Sequence, residues 1–253
     1  MKISAVVVSH GHARELEALL PVLRPQVDEL VVVSNFPGSA AGVPADVRVL
    51  ENSVPRNLAA NVNRGTAETS GELVLFSNPD ALAAPDAVAV LRDFMSQHPR
   101  CGIAGPQTLY PNGDWQPTRR RFPTVGGTIV RRTPLRFLFP PLARQRSHYR
   151  LDERPAEPAP ADWLLGHFLL MRREMLDELR GWDEGFRHYG EDIDLGYRAA
   201  KAGWERWYVP AAVVTHEWAA VIDRRFLTRH TLWHLQGMVR FVRKHPERLR
   251  ALR

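Results

Sequence analysis

Cysteine is almost absent from this chain. Its 253 residues include a single one, Cys101, so the chain cannot form an internal disulfide, and a zinc site built from paired cysteines is excluded. One unpaired Cys is typical of a protein from a reducing compartment. We interpret Cys101 as a small buried hydrophobic residue, because an isolated Cys more often packs in a core than carries chemistry.

Long hydrophobic runs are also lacking. The first apolar segment, residues 3–8, ends at Ser9, and no run approaches the roughly 20 residues that a helix needs to span a bilayer. That segment is also shorter than the apolar core of a secretory signal peptide, and no cleavage site follows it. We therefore expect a protein of the cytoplasm or of the cytoplasmic face of a membrane.

Two glycine-rich phosphate-binding motifs are missing as well. The sequence has neither a G-x-x-x-x-G-K-[ST] loop nor a G-x-G-x-x-G turn, which argues against a P-loop or dinucleotide-binding protein. The chain is nevertheless basic, with a formal net charge of +6, so we expect an anionic partner. No nucleic-acid recognition motif accompanies this charge, and we expect no nucleic-acid partner.

The N-terminal part of the chain contains alternating strand-like and helix-like segments. Apolar and β-branched runs predict buried strands over residues 3–9, 30–34, 47–50 and 73–77. Apolar residues at helical spacing predict helices over residues 16–23, over 57–69 and from 85 onward. Such alternation predicts an α/β fold with a doubly wound, mainly parallel sheet and flanking helices.

The rest of the chain is less regular. Asn112-Gly113 predicts a tight hairpin turn, and residues 117–160, rich in Pro and Arg, predict a long loop. Beyond the loop, strands are predicted over residues 163–171, 204–209 and 212–216, and helices over 174–179 and 191–202. Residues 223–244 predict one C-terminal helix, which ends before Pro246.

A few carboxylates and one histidine are candidates for chemistry. Asp80 follows a predicted strand, where doubly wound sheets bind ligands, and is either a ligand of a hard cation or a turn residue. Glu191, Asp192 and Asp194 open a predicted helix. They supply either a general base or simple compensation of the helix dipole. His216 ends a predicted strand and is either a metal ligand or a structural histidine.

Several motifs, taken in order, resemble the family 2 glycosyltransferases of the GT-A fold. The most specific run is Gly181-Trp182-Asp183-Glu184-Gly185-Phe186, followed by Glu191-Asp192-Ile193-Asp194-Leu195 and Arg198. Asn78-Pro79-Asp80, Asn63-x-Gly65 and the stretch from Val209-Pro210 to His216 take the corresponding places. The likeness covers most of residues 3–218. The branch with the greatest likeness includes bacterial rhamnosyltransferases, which use dTDP-rhamnose and lipid-linked acceptors.

The resemblance implies a metal-dependent, inverting glycosyltransferase. Its GT-A domain would span residues 1–220, with a nucleotide-sugar-binding half at 1–105 and an acceptor and catalytic half at 106–220. Asp80 would bind Mg²⁺ or Mn²⁺ at the donor diphosphate, and His216 would be a second metal ligand or a diphosphate contact. Asp192 would be the general base, and Glu191 would help to hold the acceptor.

Further residues are implied to line the two substrate sites. Nucleotide-sugar contacts are expected from Ser9, His10, Asn35, Arg56, Asn63, Asn78 and Asp80. Contacts with the transferred sugar, or with a glycan or lipid-linked acceptor, are expected from Trp163, Gly166 and His167. The chain departs from the family where Asn78 replaces an aspartate, which leaves one carboxylate in that motif. A catalytically degenerate sugar- or lipid-binding protein and a nucleotidyltransferase therefore stay open as alternatives.

Two basic segments complete the sequence-based expectations. Arg119, Arg120 and Arg121 either form a solvated loop or bind a phosphate of the donor or of a lipid diphosphate acceptor, since guanidinium groups match phosphate. Residues 221–253 form a basic amphipathic tail whose apolar stripe includes Leu232 and Leu235. This stripe either contacts a membrane surface or packs against protein.

Overall fold

The computed structural model describes residues 1–123, 153–217 and 229–248. Its helices are α1 (Ala13–Leu23), α2 (Leu58–Ala67), α3 (Ala87–Gln97), α4 (Arg173–Leu179), α5 (Glu191–Lys201) and α6 (Arg229–Lys244). Its strands are β1 (Ile3–Ser9), β2 (Glu29–Ser34), β3 (Arg48–Glu51), β4 (Leu73–Ser77), β5 (Ala81–Ala83), β6 (Cys101–Leu109), β7 (Trp115–Gln116), β8 (Arg119–Arg120), β9 (Ala159–Pro160), β10 (Trp163–Leu164), β11 (Phe168–Arg172) and β12 (Glu205–His216). None of the helices in these ranges combines the length and apolar character that a bilayer-spanning segment needs.

The strands build one large sheet in the order β3-β2-β1-β4-β11-β6-β12-β5, with β7 beside β6 and β9 beside β12. β1 pairs in parallel with both β2 and β4, and β6 pairs in parallel with β12. β11 lies antiparallel between β4 and β6. The mainly parallel α/β sheet that the sequence predicts is therefore confirmed, with β11 reversed near its middle.

The parallel strands bring several chain segments to one edge of the sheet. Ser9, Ser34 and Ser77 end β1, β2 and β4, and His216 ends β12. The loop before β11 reaches the same edge, since Phe168 at the start of β11 pairs with Ser77. The carboxyl ends of the strands thus converge where α/β sheets bind ligands.

Hydrophobic side chains cover both faces of the sheet. On one face Leu16 and Leu19 of α1 and Leu91 of α3 join the core. On the other face, Val62 of α2 and Leu195 of α5 do the same. Burial of this apolar surface is the main term that stabilises such a layered domain.

Helix α6 packs against the domain through a separate apolar cluster. Met238 and Phe241 of α6 contact Phe186, Ile193 and Trp163. Its opposite face stays open: Leu232, Leu235 and Val239 are 55%, 39% and 50% exposed. One face of α6 therefore packs against protein, which is one of the two alternatives for the tail, and membrane contact by the other face stays a prediction.

Strand β6 was not predicted from the sequence. Its Gly102, Gly105 and Pro106 belong to residue types that are depleted in strands. The structure gives the glycines a packing reason, because a Cβ on Gly102 would lie 2.5 Å from the Met175 sulfur. Close packing on a neighbouring helix, and not strand propensity, therefore selects glycine there.

Other predicted boundaries also differ from the structure. The strand predicted over 163–171 is divided into β10 and β11, and the two predicted over 204–216 form the single irregular strand β12. Strand β5 was not predicted, and β8 and β9 lie within the predicted loop at 117–160, of which 124–152 lie outside the described residues. The hairpin at Asn112-Gly113 is confirmed by the antiparallel pairing of β6 with β7.

Two further expectations concern the burial of Cys101 and the bounds of the C-terminal helix. Cys101 is fully buried at the start of β6, as expected, and burial raises the pKa of its thiol to about 12. The C-terminal helix is described from Arg229 to Lys244, and residues 223–228 of its predicted span lie outside the described residues.

Candidate active site

Asp80 and His216 lie side by side at the carboxyl edge of the sheet. Asp80 follows β4, His216 ends β12, and Asp80 Oδ1 is 3.5 Å from His216 Nε2. As its amide is oriented, Gln116 accepts a hydrogen bond through Oε1 from His216 Nδ1 at 3.0 Å. That bond leaves the lone pair of Nε2 on the side of Asp80, which is the arrangement expected of a histidine that binds metal.

The two side chains suit a divalent cation that is shared with a substrate. Two ligands that each lie about 2.1 Å from one small cation can be separated by the distance seen between Asp80 and His216. Within the described part of the chain, no group of three or more acidic, His or Cys side chains is placed to hold a metal. A cation here would therefore need oxygen ligands from water or from a diphosphate.

The buried His167 packs against His216 of this pair. Its ring stacks on that of His216 with the centroids 4.5 Å apart, and its Nε2 lies 2.8 Å from the hydroxyl of Thr108. Burial lowers the pKa of His167 well below its usual value, and the neighbouring His216 lowers it further. The backbone carbonyl of His167 accepts a hydrogen bond from the Asn78 amide at 2.7 Å, which ties the loop of Asp80 to β11.

Asp192 opens helix α5 with its carboxylate held by two backbone amides. Gly166 donates to Oδ2 at 3.1 Å, and Ile193 donates to Oδ1 at 2.8 Å. Burial raises the pKa of Asp192, although these amides and the charge of Arg120 act in the opposite direction. A Cβ on Gly166 would lie 3.2 Å from the Cβ of Asp192. Glycine therefore gives the donor amide close access to the carboxylate.

Glu191 is buried beside Asp192. Burial raises the pKa of its carboxyl, and the negative charge of Asp192 raises it further. Its Oε2 has no hydrogen-bond partner among the residues that the structure describes. A buried oxygen of this kind is costly unless another group binds it. Glu191 is thus placed to receive a hydroxyl of a bound molecule.

Asn35 organises the opposite end of the same sheet edge. Its Oδ1 accepts from the Arg56 amide at 2.8 Å and from Asn61 Nδ2 at 2.8 Å. Its Nδ2 donates to His10 Nδ1 at 2.8 Å. Arg56 and His10 are exposed, whereas Ser9 is buried and its hydroxyl donates to the Ser39 carbonyl. Asn35 therefore holds the segments of His10 and Arg56 in place at the rim of the site. The side chains of these two residues are exposed there and accessible to a ligand.

Comparison with known proteins adds to this geometry. The family model described as "Glycosyltransferase like family 2" matches residues 19–235. The chain is 31% identical over 237 residues to the N-acetylglucosaminyl-diphospho-decaprenol L-rhamnosyltransferase of Mycobacterium tuberculosis, covering 85% of this chain and 75% of that protein.

This chain belongs to glycosyltransferase family 2.

Further relatives agree with that assignment. Over 81 residues the glycosyltransferase is 37% identical to a rhamnosyltransferase of Escherichia coli, covering 32% of this chain and 30% of that protein. The crystal structure of GalNAc-T7 with UDP, GalNAc and Mn²⁺ has a TM-score of 0.68 at 18% identity, covering 96% of this chain and 48% of that one. A mannosyltransferase of Pyrobaculum calidifontis with GDP-Man and Mn²⁺ has a TM-score of 0.60 at 18% identity, covering 97% and 64%. These two likenesses show the GT-A fold.

Two residues expected at the substrate sites of the glycosyltransferase have other contacts. Asn63 accepts from the Trp182 amide at 2.8 Å and donates to the Trp182 carbonyl and Glu184 carboxylate, each at 2.9 Å. It therefore holds the loop before α5, because all its polar atoms are used there. Trp163 is only 5% exposed, and its indole N–H donates to the Arg121 carbonyl at 2.7 Å. Its ring belongs to the core beneath α6, which corrects the expectation that it lines the sugar site.

The three consecutive arginines also differ from a solvated loop. Arg119 is buried and donates to the Pro160 carbonyl and to Glu153, each at 2.8 Å. Two nitrogens of its guanidinium are therefore engaged within the protein, and a phosphate contact by at least one of the three arginines stays a prediction. Arg120 is buried, and its positive charge lowers the pKa of Asp192. Arg121 is partly exposed, with 44% of its side-chain surface accessible.

The sequence gave no indication of two residues that support the candidate metal site. Gln116 and Thr108 bind the rings of His216 and His167, but each lies in an ordinary polar segment with no motif. Their one sequence signal is the hairpin turn at Asn112-Gly113, which returns β7 alongside β6. That pairing carries Gln116 back to the sheet edge.

Proposed function

We propose that this glycosyltransferase transfers rhamnose from dTDP-rhamnose to a hydroxyl of a saccharide that is linked through a diphosphate to a polyprenol lipid. The observation that carries this proposal is the 31% identity to the mycobacterial rhamnosyltransferase over 85% of the chain. A catalytically degenerate protein is disfavoured, because the carboxylates Asp80, Glu191 and Asp192 are all retained at one sheet edge.

The donor diphosphate binds at Asp80 and His216 in this proposal. These two side chains would hold a divalent cation, Mg²⁺ or Mn²⁺, which would supply positive charge to stabilise the departing diphosphate. Gln116 fixes the ring of His216 with Nε2 facing Asp80. The exposed Arg56 and His10, on the rim that Asn35 orders, contact the nucleotide, and Asn78 shapes the loop of Asp80.

Asp192 activates the acceptor. Its carboxylate accepts the proton of the acceptor hydroxyl as that oxygen attacks the anomeric carbon, and Glu191 binds a neighbouring hydroxyl of the acceptor. The amides of Gly166 and Ile193 hold the Asp192 carboxylate in position throughout. One displacement forms the new glycosidic bond as the sugar–phosphate bond breaks on the opposite face, so the anomeric configuration inverts.

The test is a transfer assay with defined substrates. The purified chain is incubated with dTDP-rhamnose, Mg²⁺ and N-acetylglucosamine linked through diphosphate to a short polyprenol, and the product is detected by mass spectrometry. We expect addition of one deoxyhexose, with inverted configuration by NMR. Asp192→Asn is the matched inactive control. Transfer from UDP- or GDP-sugars in place of dTDP-rhamnose, or retention of configuration, would refute the proposal.

The open face of α6 supports a second part of the proposal, contact with a membrane surface on the cytoplasmic side. Helix α6 carries four basic residues and no acidic one. Leu232, Leu235 and Val239 form an exposed apolar stripe along it. An apolar stripe beside cationic side chains is the pattern of a helix that lies in an anionic membrane interface. A lipid-linked acceptor would be met at that interface.

A further inference from the structure

Two arginines lie over one tryptophan ring beside the candidate active site. The guanidinium carbon of Arg187 is 5.0 Å from the centroid of the Trp233 ring, and that of Arg229 is 5.5 Å from it. Arg187 comes from the loop before α5, whereas Arg229 and Trp233 belong to α6. We call these three residues the arginine clamp. Folding, and not local sequence, therefore brings the two charges together.

Neither arginine of the clamp forms an ion pair within the described residues. Asp183 and Asp194 pair instead with basic residues near the end of α6: Asp183 binds Arg240 and Lys244, and Asp194 binds Lys244. A guanidinium stacked on an aromatic face keeps the N–H groups at its edge available, and those groups match phosphate oxygens. The clamp thus offers two oriented cationic edges to an anion.

The clamp is rigidly connected to the catalytic carboxylates. Tyr189 and Gly190, two of the three residues between Arg187 and Glu191, both have positive φ, 81° and 100°. The Tyr189 hydroxyl lies 3.2 Å from His230 Nδ1 of α6. A Cβ on Gly237 would lie 2.2 Å from the Tyr189 carbonyl oxygen. A strained backbone that is fixed in this way is typical of functional sites, and it sets the clamp at a defined distance from Asp192.

An apolar groove lies along α6, the helix that also carries Arg229 and Trp233 of the clamp. Its volume is about 830 Å³, and its lining includes Leu232, Leu235, Val239, Arg240 and Arg243. The start of α5, the paired arginines and the apolar groove therefore all lie on α6 or against it. A saccharide joined through a diphosphate to an isoprenoid carries the three matching groups: a reacting hydroxyl, an anionic group and a hydrocarbon.

We propose that Arg187 and Arg229 bind the diphosphate of the lipid-linked acceptor, with Trp233 holding their guanidinium planes. The isoprenoid then leaves along the groove of Leu232, Leu235 and Val239. This inference rests on the proposed function, because the acceptor class comes from there. It adds an acceptor site that is separate from the donor diphosphate site at Asp80 and His216.

The test measures binding without turnover. Geranyl diphosphate is titrated calorimetrically into the full chain in the presence of chelator and saturating dTDP, so that the donor site cannot report. We expect Arg187→Ala and Arg229→Ala each to weaken binding by about tenfold, the effect of losing one charge-assisted hydrogen bond. Geraniol, which lacks the diphosphate, should bind the wild type and both variants equally weakly.

Controls separate this result from general loss of charge or structure. Arg92→Ala, which removes an exposed arginine of α3, should leave geranyl diphosphate binding unchanged, and melting temperatures should match the wild type. The proposal is overturned if the wild type does not bind geranyl diphosphate, if the clamp variants bind it within about twofold of wild type, or if they lose affinity for dTDP instead. Failure of rhamnose transfer with clamp binding intact would count against the proposed function alone.

Discussion

Asp192 is the residue on which the proposed chemistry depends. Two backbone amides hold its carboxylate, and burial raises its pKa. A base must be close to the acceptor hydroxyl and ionised when it acts, and the amides favour the ionised form that burial opposes. The balance leaves a carboxylate that is a stronger base than an ordinary exposed aspartate.

Replacement of Asp192 by Asn should abolish most of the turnover. Asn preserves the shape of the side chain but cannot accept the proton, and general base catalysis is typically worth about 10²–10⁴-fold in rate. We expect a loss of kcat in that range, with dTDP-rhamnose affinity retained. A loss below about tenfold would assign the base to another carboxylate, with Glu191→Gln the next variant to measure.

The pH profile should carry the same signature. Since the pKa of Asp192 is raised, the fraction of ionised base falls as pH decreases through a value above the ordinary one of about 3.9 for Asp. Activity of the wild type should therefore rise with pH through that raised pKa and then level off. The residual activity of Asp192→Asn should not show this rise with pH. The same rise in the variant would show that another group causes it.

The metal dependence should centre on Asp80. Removal of its carboxylate leaves His216 as the one protein ligand of the proposed cation, so Asp80→Ala should lose the gain in donor affinity that Mg²⁺ gives. The measurement is dTDP-rhamnose binding with Mg²⁺ and with chelator. Asp86→Ala, an exposed acidic residue at the next helix, is the control and should behave as wild type. Full wild-type activity in excess chelator would contradict the prediction.

Among the elements, α5 and α6 are joined through a buried carboxylate. Asp194 accepts from Arg198 at 2.6 Å, from His245 at 2.8 Å and from Lys244 at 2.9 Å. Lys244 also binds Asp183. The third acidic residue of the helix start is therefore structural, and the simple interpretation of helix-dipole compensation does not account for its contacts.

Replacement of Asp194 by Asn should destabilise the protein by about 3–5 kcal/mol, because the cationic partners lose their buried counter-charge. Burial alone would raise the pKa of Asp194, but its hydrogen bonds and the charge of Arg198 lower it. Hydrogen bonds also lower the pKa of Asp183, to about 2. The stability that the ionised Asp194 and Asp183 contribute is therefore fully present above the ordinary carboxyl pKa. It is lost as the pH falls through their lowered pKa values. Urea unfolding at neutral and acidic pH measures this. Equal differences between wild type and variant at both pH values would contradict it.

At the scale of the whole molecule, charge and apolar surface coincide on α6. The net charge is +6, and α6 contains four basic residues and no acidic one of its own, with Arg240 and Lys244 paired to Asp183 and Asp194 outside the helix. Each basic residue near an anionic surface adds about 1 kcal/mol to binding. The other face of α6 packs against the domain through Met238 and Phe241. The exposed face can therefore contact a membrane while the helix stays packed on the protein.

Leu235→Glu should weaken flotation with anionic liposomes at low salt, because it places a charge in the middle of the exposed stripe. Leu82→Glu is the matched control, since Leu82 is similarly exposed, at 37% against 39%, but lies on β5. We expect the control to float like wild type. Wild type that ignores anionic liposomes, or a Leu235 variant that floats equally well, would exclude α6 as the membrane contact.

The sequence by itself determined the fold class and predicted the candidate site residues. Buried runs such as Ile3–Ser9 and Leu73–Ser77 predict parallel strands from local pattern alone. The order of strands and helices then predicts that residues just after strand ends meet at one edge. Asp80 and His216 each follow or end a strand, and it is the family resemblance that implies they share a metal.

Only the tertiary structure decided how polar side chains are shared between protein and substrate. Gln116 and His216 are 100 positions apart, and Asn63 and Trp182 are 119 apart, so no local pattern records their contacts. Asn63 and Arg119 form hydrogen bonds with other residues of the protein. In contrast, Oε2 of Glu191 has no hydrogen-bond partner among the residues that the structure describes. The physical reason is that hydrogen-bond satisfaction depends on distances between segments, which sequence order does not fix.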